Sequence, residues 1–332
     1  MKIQSVHVRA SWCCAALFLS TSSFSFGAEN FVIASSTFEE RSSSTPGDPT
    51  AGMKLVFDDE FDRFSKYVGP DGKGDCAPGG VGTWHTTLSY CARTHPAKDR
   101  FGQPIALGEE EIYTDSAFLG PKGNQFPQSL AVDPFSIVNG SLAIEASPAS
   151  RAITAVSGAA YTSGVITTQY SFSQTYGYFE ARMKLPAGKG LWPAFWLVPA
   201  NGPRPPEIDI LEAFATPNDH GSGGPTEIHY ASTDRIDKLS RQAVSDVCKG
   251  WRDIGKDITS DFHTYGADVE PTGVVFYFDR QAYASCPPNS AVNGPLFMII
   301  NLAVGGDWPG YPNASNVWPA KLYIDYVRAY RK

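Results

Sequence analysis

The chain has 332 residues, and its 34 acidic residues outnumber its 27 basic ones, giving a formal net charge of -7. A negative surface is unattractive to nucleic acid and to anionic membranes, so neither is an expected partner. Hydrophobic residues make up 42% of the chain and charged residues only 18%. This composition allows a sizeable core, disfavours coiled coils and disorder, and favours a β-rich globular protein.

The first 28 residues have the pattern of a signal peptide. Lys2 and Arg9 give a positive start, an uncharged and mostly apolar stretch follows, and small residues end at Ala28. The apolar part is shorter than the roughly 20 residues of a membrane-spanning helix. We therefore expect a secreted protein, periplasmic or extracellular, with no membrane attachment after cleavage. Residues 29–52 are rich in Ser, Thr and Pro and predict a linker, so the folded domain is expected at 53–332.

Four cysteines lie beyond the signal peptide, an even number that suits two disulfides in an oxidising compartment. Three pairings are possible. We favour Cys76 with Cys91 and Cys248 with Cys286, because each pair closes a local loop rich in turn-forming or polar residues. A structural zinc site is disfavoured, because no two of these cysteines have the short separation that such sites use.

Alternation of apolar and polar residues with a period of two runs through the domain and predicts β-strands. In YGYFEARMKL, 176–185, small and apolar residues occupy one face and mainly polar residues the other. Similar short runs predict strands at 55–57, 141–146, 164–170, 226–232, 274–279, 296–304 and 321–330. Only 234–247 has the pattern of a helix. Many short strands separated by turns predict an all-β fold in which two antiparallel sheets pack as a sandwich or jelly roll.

The segment EIDILE carries the most informative group of charges. Glu207 and Asp209 alternate with isoleucines and therefore share one face of a strand. Strict alternation would bury Glu212, and a buried unpaired carboxylate is costly. We therefore expect one extra residue, a β-bulge at Ile210 and Leu211, that returns Glu212 to the acid face.

A strip of three carboxylates suits glycoside hydrolysis. A retaining enzyme needs an ionised carboxylate as nucleophile and a protonated carboxyl as general acid, held about 5–5.5 Å apart. Alternate positions near one strand can supply this pair. The alternatives for such a strip are a solvated acidic face and a calcium site.

At this group of acids the sequence resembles the family 16 glycoside hydrolases, which are secreted jelly-roll endoglycanases. The resemblance covers about 53–332 and rests on LVFDDEFD, NGSLAIEA, YGYFEARMKLPAGKGLWPAFWL, EIDILE, DFHTYG, INLAVGGDWPGYP and YIDYVRAY. The extra residue before the last glutamate is similar to the bulged form of laminarinase-like members. The resemblance implies a concanavalin-like jelly roll with a concave substrate cleft. It also implies that Glu207 is the nucleophile, that Asp209 assists it by hydrogen bonding, that Glu212 is the general acid and base, and that the chemistry requires no cofactor.

Three tryptophans near the acids are candidates for substrate binding, because sugar rings stack their C–H faces on indole. Trp192 follows Gly-Lys-Gly and Trp308 lies inside Gly-Gly-Asp-Trp-Pro-Gly, so both have loop-like surroundings that favour the cleft. Trp196 is flanked by apolar residues on an alternating strand, which fits the cleft and the core equally well.

Further substrate-binding candidates are polar. Glu109 and Glu111, with Tyr113, lie in GEEEIYTD, which resembles the family's substrate-contacting segment; a solvated acidic edge is the alternative. His229 follows the acid motif and borders the expected cleft, although a lone histidine is more often structural than catalytic.

The resemblance also implies a possible structural calcium ion, with Glu60, Gly140 and Asp325 at the matching positions. Glu60 and Gly140 would bind it through backbone oxygens. A cation held there would tie the two ends of the domain together. The alternative is an ion pair between Asp325 and Arg328.

Some segments depart from the family pattern. Residues 267–269 read Ala-Asp-Val where the family usually has Val-Glu-Trp, and 279–280 read Asp-Arg where Asp-Gly is expected. The segments 69–108 and 218–260 look like long insertions that carry cysteines. Because loops set the subsites of such enzymes, these departures leave the glucan linkage open.

The sequence therefore predicts a monomeric, secreted, retaining endo-glycosidase that hydrolyses β-1,3 or mixed β-1,3/1,4 glucans by double displacement. A bacterial exopolysaccharide or a galactan such as agar is an alternative substrate. A non-catalytic, lectin-like carbohydrate-binding module is an alternative of another class, disfavoured because binding alone needs neither an acid nor a nucleophile.

Overall fold

The computed structural model describes residues 47–70, 78–88, 92–94, 108–120, 129–130, 132–201, 206–234 and 246–332. The expected signal peptide, most of the expected linker and the expected Cys76–Cys91 pair lie outside these residues. The described residues belong to one compact unit, Ser43–Lys332. None of their helices is long and apolar enough to cross a membrane.

Short β-strands account for nearly all the regular structure of the described residues, as the period-two pattern predicts. The strands are β1 (Lys54–Asp59), β2 (Glu111–Tyr113), β3 (Phe135–Val138), β4 (Ser141–Pro148), β5 (Tyr161–Ser163), β6 (Val165–Thr167), β7 (Gly177–Lys184), β8 (Leu191–Pro199), β9 (Glu207–Glu212), β10 (Glu227–Thr233), β11 (Asp246–Asp253), β12 (His263–Glu270), β13 (Gly273–Phe278), β14 (Gln281–Cys286), β15 (Leu296–Val304) and β16 (Ala320–Arg331). Each of the eight sequence-predicted runs coincides with one of these strands or overlaps it.

The strands form two sheets. The larger sheet has ten strands, eight of them in the order β14-β13-β12-β7-β16-β4-β5-β2, with β1 beside β16 and β3 beside β4. Strand β16 pairs with β7 on one side, and with β4 and then β1 on the other. The smaller sheet has six strands in the order β11-β10-β9-β8-β15-β6. Every pair between these strands is antiparallel except that of β2 with β5.

The main hydrophobic core lies between the two sheets, which confirms the predicted sandwich. Phe179, Ala181 and Met183 of β7 belong to the same buried cluster as Phe195 of β8 and Ile208 of β9. Alternate residues of each strand point outward, so the outer face of the six-stranded sheet is available for a site.

One α-helix, α1 (Arg151–Ser157), occurs in the described residues, and the sequence analysis missed it. Ser150 caps its start by accepting a hydrogen bond from Ile153 N, and Gly158 ends it with φ 74°. Glycine adopts this left-handed conformation without a steric penalty. The sequence signal available for this helix was its two capping residues, Ser150 before Arg151 and Gly158 after Ser157.

The helix predicted over 234–247 is wrong where it can be tested, because β11 begins at Asp246. Residues 235–245 lie outside the described part of the chain. The charge-rich sequence mimics the polar face of a helix. Pairing with β10 nevertheless gives the backbone groups of β11 hydrogen-bond partners along a sheet edge, and this tertiary contact overrides the local pattern.

Asp279 and Arg280 form the turn between β13 and β14, with φ values of 46° and 59°. At the position of Arg280, the pattern noted in the sequence analysis has glycine. A non-glycine residue pays for this conformation in backbone strain. The Arg280 side chain offsets it by donating two hydrogen bonds, both 2.9 Å, to the fully buried Glu180 carboxylate. The hydroxyls of Tyr178 and Tyr326 donate to the same carboxylate.

Candidate active site

Strand β9 carries the acid strip, and its pairing contains the expected β-bulge. Trp196 of β8 pairs with Asp209, but its neighbour Phe195 pairs with Leu211, so Ile210 is the extra residue. The pairing of β9 with β10 skips at the same place. Ile210 and Leu211 both lie in the buried core. The bulge therefore allows the glutamate after Leu211 to return to the acid face, as the sequence analysis predicts.

Residues from the β14 end of the larger sheet hold the backbone of the acid strip. The Tyr283 hydroxyl donates to the carbonyl oxygen of Ile210, at the bulge, over 3.3 Å. Asn289 Nδ2 donates to the carbonyl oxygens of Glu207 and Thr233, at 3.3 and 3.2 Å. Because a bulge disrupts the ladder locally, these bonds supply partners that strand pairing alone does not guarantee.

Glu212 is held by donors on two sides. Trp192 Nε1 donates to its Oε1 at 3.2 Å, and His229 Nδ1 lies 2.9 Å from its Oε2. With its proton on Nδ1, the imidazole donates to the carboxylate. The Glu212 side chain is 14% exposed, so it is accessible from outside while both of its oxygens have protein partners. Such contacts fix the orientation of a group that must transfer a proton.

An aromatic wall stands beside Glu212. Its centre is Trp308, whose ring centroid lies 5.1 Å from that of Trp192, 4.5 Å from Phe214 and 5.7 Å from Trp251. The His229 ring lies 5.0 Å from Trp308. All four contacts are edge-to-face or tilted, arrangements that aromatic rings favour.

A cleft of about 510 Å³ opens beside the acids and this wall, on the outer face of the six-stranded sheet. The lining residues are Asp209, Glu212, His229, Ala231, Thr233, Lys249, Gly250, Trp251 and Trp308. Carboxyl groups next to indole rings provide proton transfer and a stacking surface in one place. The cleft can therefore bind a sugar chain and act on its glycosidic bonds.

The family model described as "Glycosyl hydrolases family 16" matches residues 133–328, which is more than half of the chain. The chain belongs to glycosyl hydrolase family 16. Its match spans β3 to β16 and therefore includes the bulged strand β9 and the aromatic wall. Family 16 chemistry requires no cofactor.

Proteins similar to this chain include named glucanases. The chain is 38% identical over 224 residues to an endo-1,3-1,4-beta-glycanase of Rhizobium meliloti, covering 67% of this chain and 43% of that protein. It is 27% identical over 307 residues to a beta-glucanase of Rhodothermus marinus, covering 87% of this chain and 88% of that protein. The laminarinase catalytic domain of Thermotoga maritima is similar in structure, with a TM-score of 0.60, 26% identity, and coverage of 84% of this chain and 98% of that one. The chain thus spans less than half the length of the Rhizobium protein.

Several predicted site residues of this family 16 chain lie together. Trp192, Trp308 and His229 surround Glu212, and Asp209 faces the same cleft. Glu207 begins the same strand and pairs with Thr233, which also lines the cleft. The roles of these side chains in catalysis and binding stay predictions.

Two of the predicted substrate-binding residues lie deeper. Trp196 is 4% exposed, and its Nε1 donates to Asn301 Oδ1 at 2.9 Å, while Asn301 Nδ2 donates to the Tyr113 hydroxyl at 3.0 Å. Glu111 is 2% exposed and accepts a hydrogen bond from Val304 N. Burial and the Glu111 carboxylate raise the pKa of Tyr113 well above its ordinary value. These contacts show that Trp196 and Glu111 hold neighbouring buried groups in place. Direct contact of either residue with substrate stays a prediction.

The segment with Glu109 packs against the loop that carries Trp308. Glu110 N donates to Val304 O at 2.8 Å, just before that loop. Gly305 has φ 75°, and a Cβ there would come within 2.9 Å of Glu110 Oε2, so glycine allows the close approach. The two segments expected to contact substrate are therefore neighbours, although substrate contact by Glu109 stays untested.

Lys249 and Trp251 line the cleft from β11, and the sequence analysis missed both. They lie in the segment 218–260, interpreted as an insertion, just beyond the helix predicted over 234–247. The available signal was the alternation in Cys-Lys-Gly-Trp-Arg-Asp, which places Lys249 and Trp251 on one strand face and Cys248 on the other. Without the pairing of β11 to β10, that alternation does not indicate which face meets the cleft.

The positions expected to bind calcium lie where β1 and β4 meet along β16, and Asp325, the one side-chain ligand expected among them, is held in an ion pair. Arg328 binds the Glu60 carboxylate, and Arg182 Nη1 lies 2.6 Å from Asp325 Oδ2. The expected alternative, a pair between Asp325 and Arg328, is therefore replaced by two other ion pairs. Within the described residues, no group of three or more His, Cys, Asp or Glu side chains could hold a metal. Ser141, the residue after Gly140, donates a hydrogen bond from its hydroxyl to Asp325 at 3.4 Å.

Proposed function

We propose that this chain is a retaining endo-β-glucanase that hydrolyses β-1,3 or mixed β-1,3/1,4 glucans. The observation that carries the proposal is the bulged strand β9, whose acids lie beside an aromatic-walled cleft. The names of the Rhizobium and Rhodothermus relatives support the substrate class. A structural calcium ion is not part of the proposal, because Arg182 already binds Asp325, the one carboxylate expected to hold the ion.

The reaction uses two displacements. In the first, the Glu207 carboxylate attacks the anomeric carbon while Glu212 gives its proton to the departing glycosidic oxygen, so the C–O bond breaks and a glycosyl ester forms. In the second, Glu212 takes a proton from water, the hydroxide oxygen bonds to the anomeric carbon, and Glu207 leaves. Asp209 assists Glu207 by hydrogen bonding. Trp192 and His229 orient Glu212 through the bonds described above.

The stereochemistry of the first product tests the mechanism. NMR of a β-glucan digest should show a β-anomer first, because each displacement inverts the anomeric centre. Glu207→Ala should abolish hydrolysis, and added azide should restore turnover as an α-glycosyl azide. An initial α-anomer from the wild-type enzyme would show that Glu207 is not a nucleophile.

The role of Glu212 has a separate test. Glu212→Gln should lose most activity on polysaccharide but keep more of it on an aryl glycoside, whose leaving group needs little protonation. The matched control is Glu145→Gln on β4, because Glu145 and its partner Lys321 both lie in the ten-stranded sheet, away from the acid strip. This variant should leave both activities unchanged. Equal losses of activity on both substrates would show that Glu212 is not the general acid.

A polysaccharide panel separates the proposal from its alternatives. Reducing ends should appear from laminarin or mixed-linkage glucan. Release of reducing ends only from agar, or only from a bacterial exopolysaccharide, would make that polysaccharide the substrate in place of a β-glucan. Binding without any release would favour the lectin-like alternative.

We also propose that the protein works outside the cytoplasm. Supporting this, Cys248 and Cys286 form a disulfide with a Cα–Cα distance of 5.5 Å, as expected, and disulfides persist in oxidising compartments. The expected signal peptide lies outside the described residues. Expression of the full chain followed by N-terminal sequencing of exported protein should give a start at Glu29, and retention of unprocessed chain inside the cell would contradict export.

A further inference from the structure

Strand β11 presents one face to the cleft. It is the edge strand of the six-stranded sheet, and its pairing with β10 places Trp251 opposite His229 and Lys249 opposite Ala231. All four residues line the cleft. Because β10 pairs with β9 in turn, Glu212, His229 and Trp251 form one row across three strands. This row runs from the expected general acid to the edge of the sheet.

The other face of β11 is bonded to the larger sheet. Cys248, next to Lys249, forms a disulfide with Cys286 at the end of β14. Strand β14 is the edge strand of its own sheet, so the bond joins the edges of both sheets on one side of the sandwich. Gly250 pairs with Tyr230, and a Cβ at Gly250 would lie 3.3 Å from the Tyr230 hydroxyl. Along β11, Cys248 thus anchors the strand on one face, while Lys249 and Trp251 on the other face line the cleft.

We propose that β11 provides an additional sugar-binding subsite, in which Trp251 stacks on a glucosyl unit of the polysaccharide, and that the Cys248–Cys286 disulfide positions this subsite. The inference rests on the proposed function, because it takes the ligand to be the glucan. The indole offers an apolar plate to the sugar ring, and the exposed Lys249 ammonium donates hydrogen bonds to its hydroxyls. The subsite extends the cleft on the Glu212 side, away from Trp196 and β8.

The disulfide matters because, among the strands that the structure describes, β11 has a partner on only one side. Edge strands open locally more readily than central strands, and an opened β11 would carry Trp251 away from Trp308. The covalent link closes a separation of 38 residues and limits that opening. Trp251 is further held by ring contacts at 5.2 Å with Phe214 and with His229. The subsite is therefore preorganised before the sugar arrives, which lowers the entropic cost of binding.

The first test is Trp251→Ala, measured on a long β-glucan and on a short aryl glycoside that does not reach β11. On the polymer KM should rise about tenfold, and kcat should change less than about twofold, because one stacked aromatic contact is lost. Trp251→Phe should keep most of the affinity. On the aryl glycoside, KM should change much less than on the polymer, because the stacked sugar contact is absent there. The matched control is Tyr277→Ala, which removes a half-buried aromatic ring from the outer face of the other sheet and should leave KM unchanged.

The second test is the double variant Cys248→Ser with Cys286→Ser. It should raise KM on the polymer in the same direction as Trp251→Ala, and adding Trp251→Ala to it should have less than its full effect, because both changes act on one subsite. A polymer KM that stays at the wild-type value in Trp251→Ala would overturn the subsite, even if the cysteine variant does not fold. A wild-type enzyme without activity on β-glucans would instead overturn the proposed function.

Discussion

Asp115 offers a stability prediction whose size follows from its contacts. Its carboxylate is 2% exposed and lies 3.0 Å from Lys66 Nζ and 2.8 Å from Arg93 Nη2. The Thr86 hydroxyl donates to it at 2.6 Å and Ala117 N at 2.7 Å. These contacts join two loop segments to the end of β2, the strand that carries Glu111 and Tyr113. Asp115→Asn keeps the side-chain shape and removes the charge.

The magnitude comes from the ionisation of Asp115. Burial acts to raise its pKa, but Arg93, Thr86 and Lys66 outweigh burial and lower the pKa from 3.8 to about 2. Because a tenfold change in an ionisation constant corresponds to about 1.4 kcal/mol, the folded state gains roughly 2 kcal/mol when the carboxyl is ionised. The folded pKa lies below the unfolded one. This stabilisation is therefore complete above about pH 4 to 5 and is lost as the pH falls towards 2.

Denaturant unfolding at several pH values measures the effect. Asp115→Asn should lower the free energy of unfolding by about 2 to 3 kcal/mol at pH 7, and the difference from wild type should shrink steadily below pH 4. The matched control is Asp133→Asn, since exposed Asp133 accepts a similar backbone bond, from Phe135 N, and its loss should cost about 0.5 kcal/mol or less. A cost for Asp115→Asn that is the same at pH 7 and pH 3 would refute the electrostatic reasoning.

Two further predictions concern bonds that connect distant parts of the chain. Tyr283→Phe removes the donor to the bulge carbonyl of Ile210 and should lower the free energy of unfolding by about 1 to 2 kcal/mol. It should also lower kcat more than KM, because the bulge orients the acids; unchanged stability and kcat would contradict the support described. Arg280→Gly relieves about 1 kcal/mol of backbone strain but leaves buried Glu180 without its cation, a loss of about 3–5 kcal/mol, so the variant should be less stable in denaturant unfolding. A variant more stable than wild type would mean that strain dominates.

The acid strip could be predicted because its signal is local. The pattern in EIDILE fixes which side chains share a face, and the cost of burying Glu212 is enough to require an extra residue. The sandwich could be predicted for a similar reason. A period-two run such as 176–185 indicates a strand with one buried and one exposed face, whichever strand it pairs with.

The contacts that complete the site could not be predicted, because they depend on pairing across long separations. Trp251 reaches the cleft only through the register of β11 with β10, and the sequence shows only that it lies in a long insertion. Tyr283 lies 73 positions from the bulge it supports. Arg280 binds Glu180 over a separation of 100 residues, so the sequence shows only a turn without its usual glycine. None of these has a periodic pattern that points to its partner.

The position of β16 also governs how the larger sheet can assemble. This strand, near the end of the chain, lies between β7 on one side and β4 and β1 on the other. During synthesis, β7 and β4 are therefore made long before the strand that joins them, and until it arrives they are open edges able to pair with other chains. Contacts between residues so far apart in sequence form slowly, because the intervening loop must close first. Completion of the ten-stranded sheet is thus a late step, and sequence changes in 320–331 would affect folding yield before they affect the chemistry of the cleft.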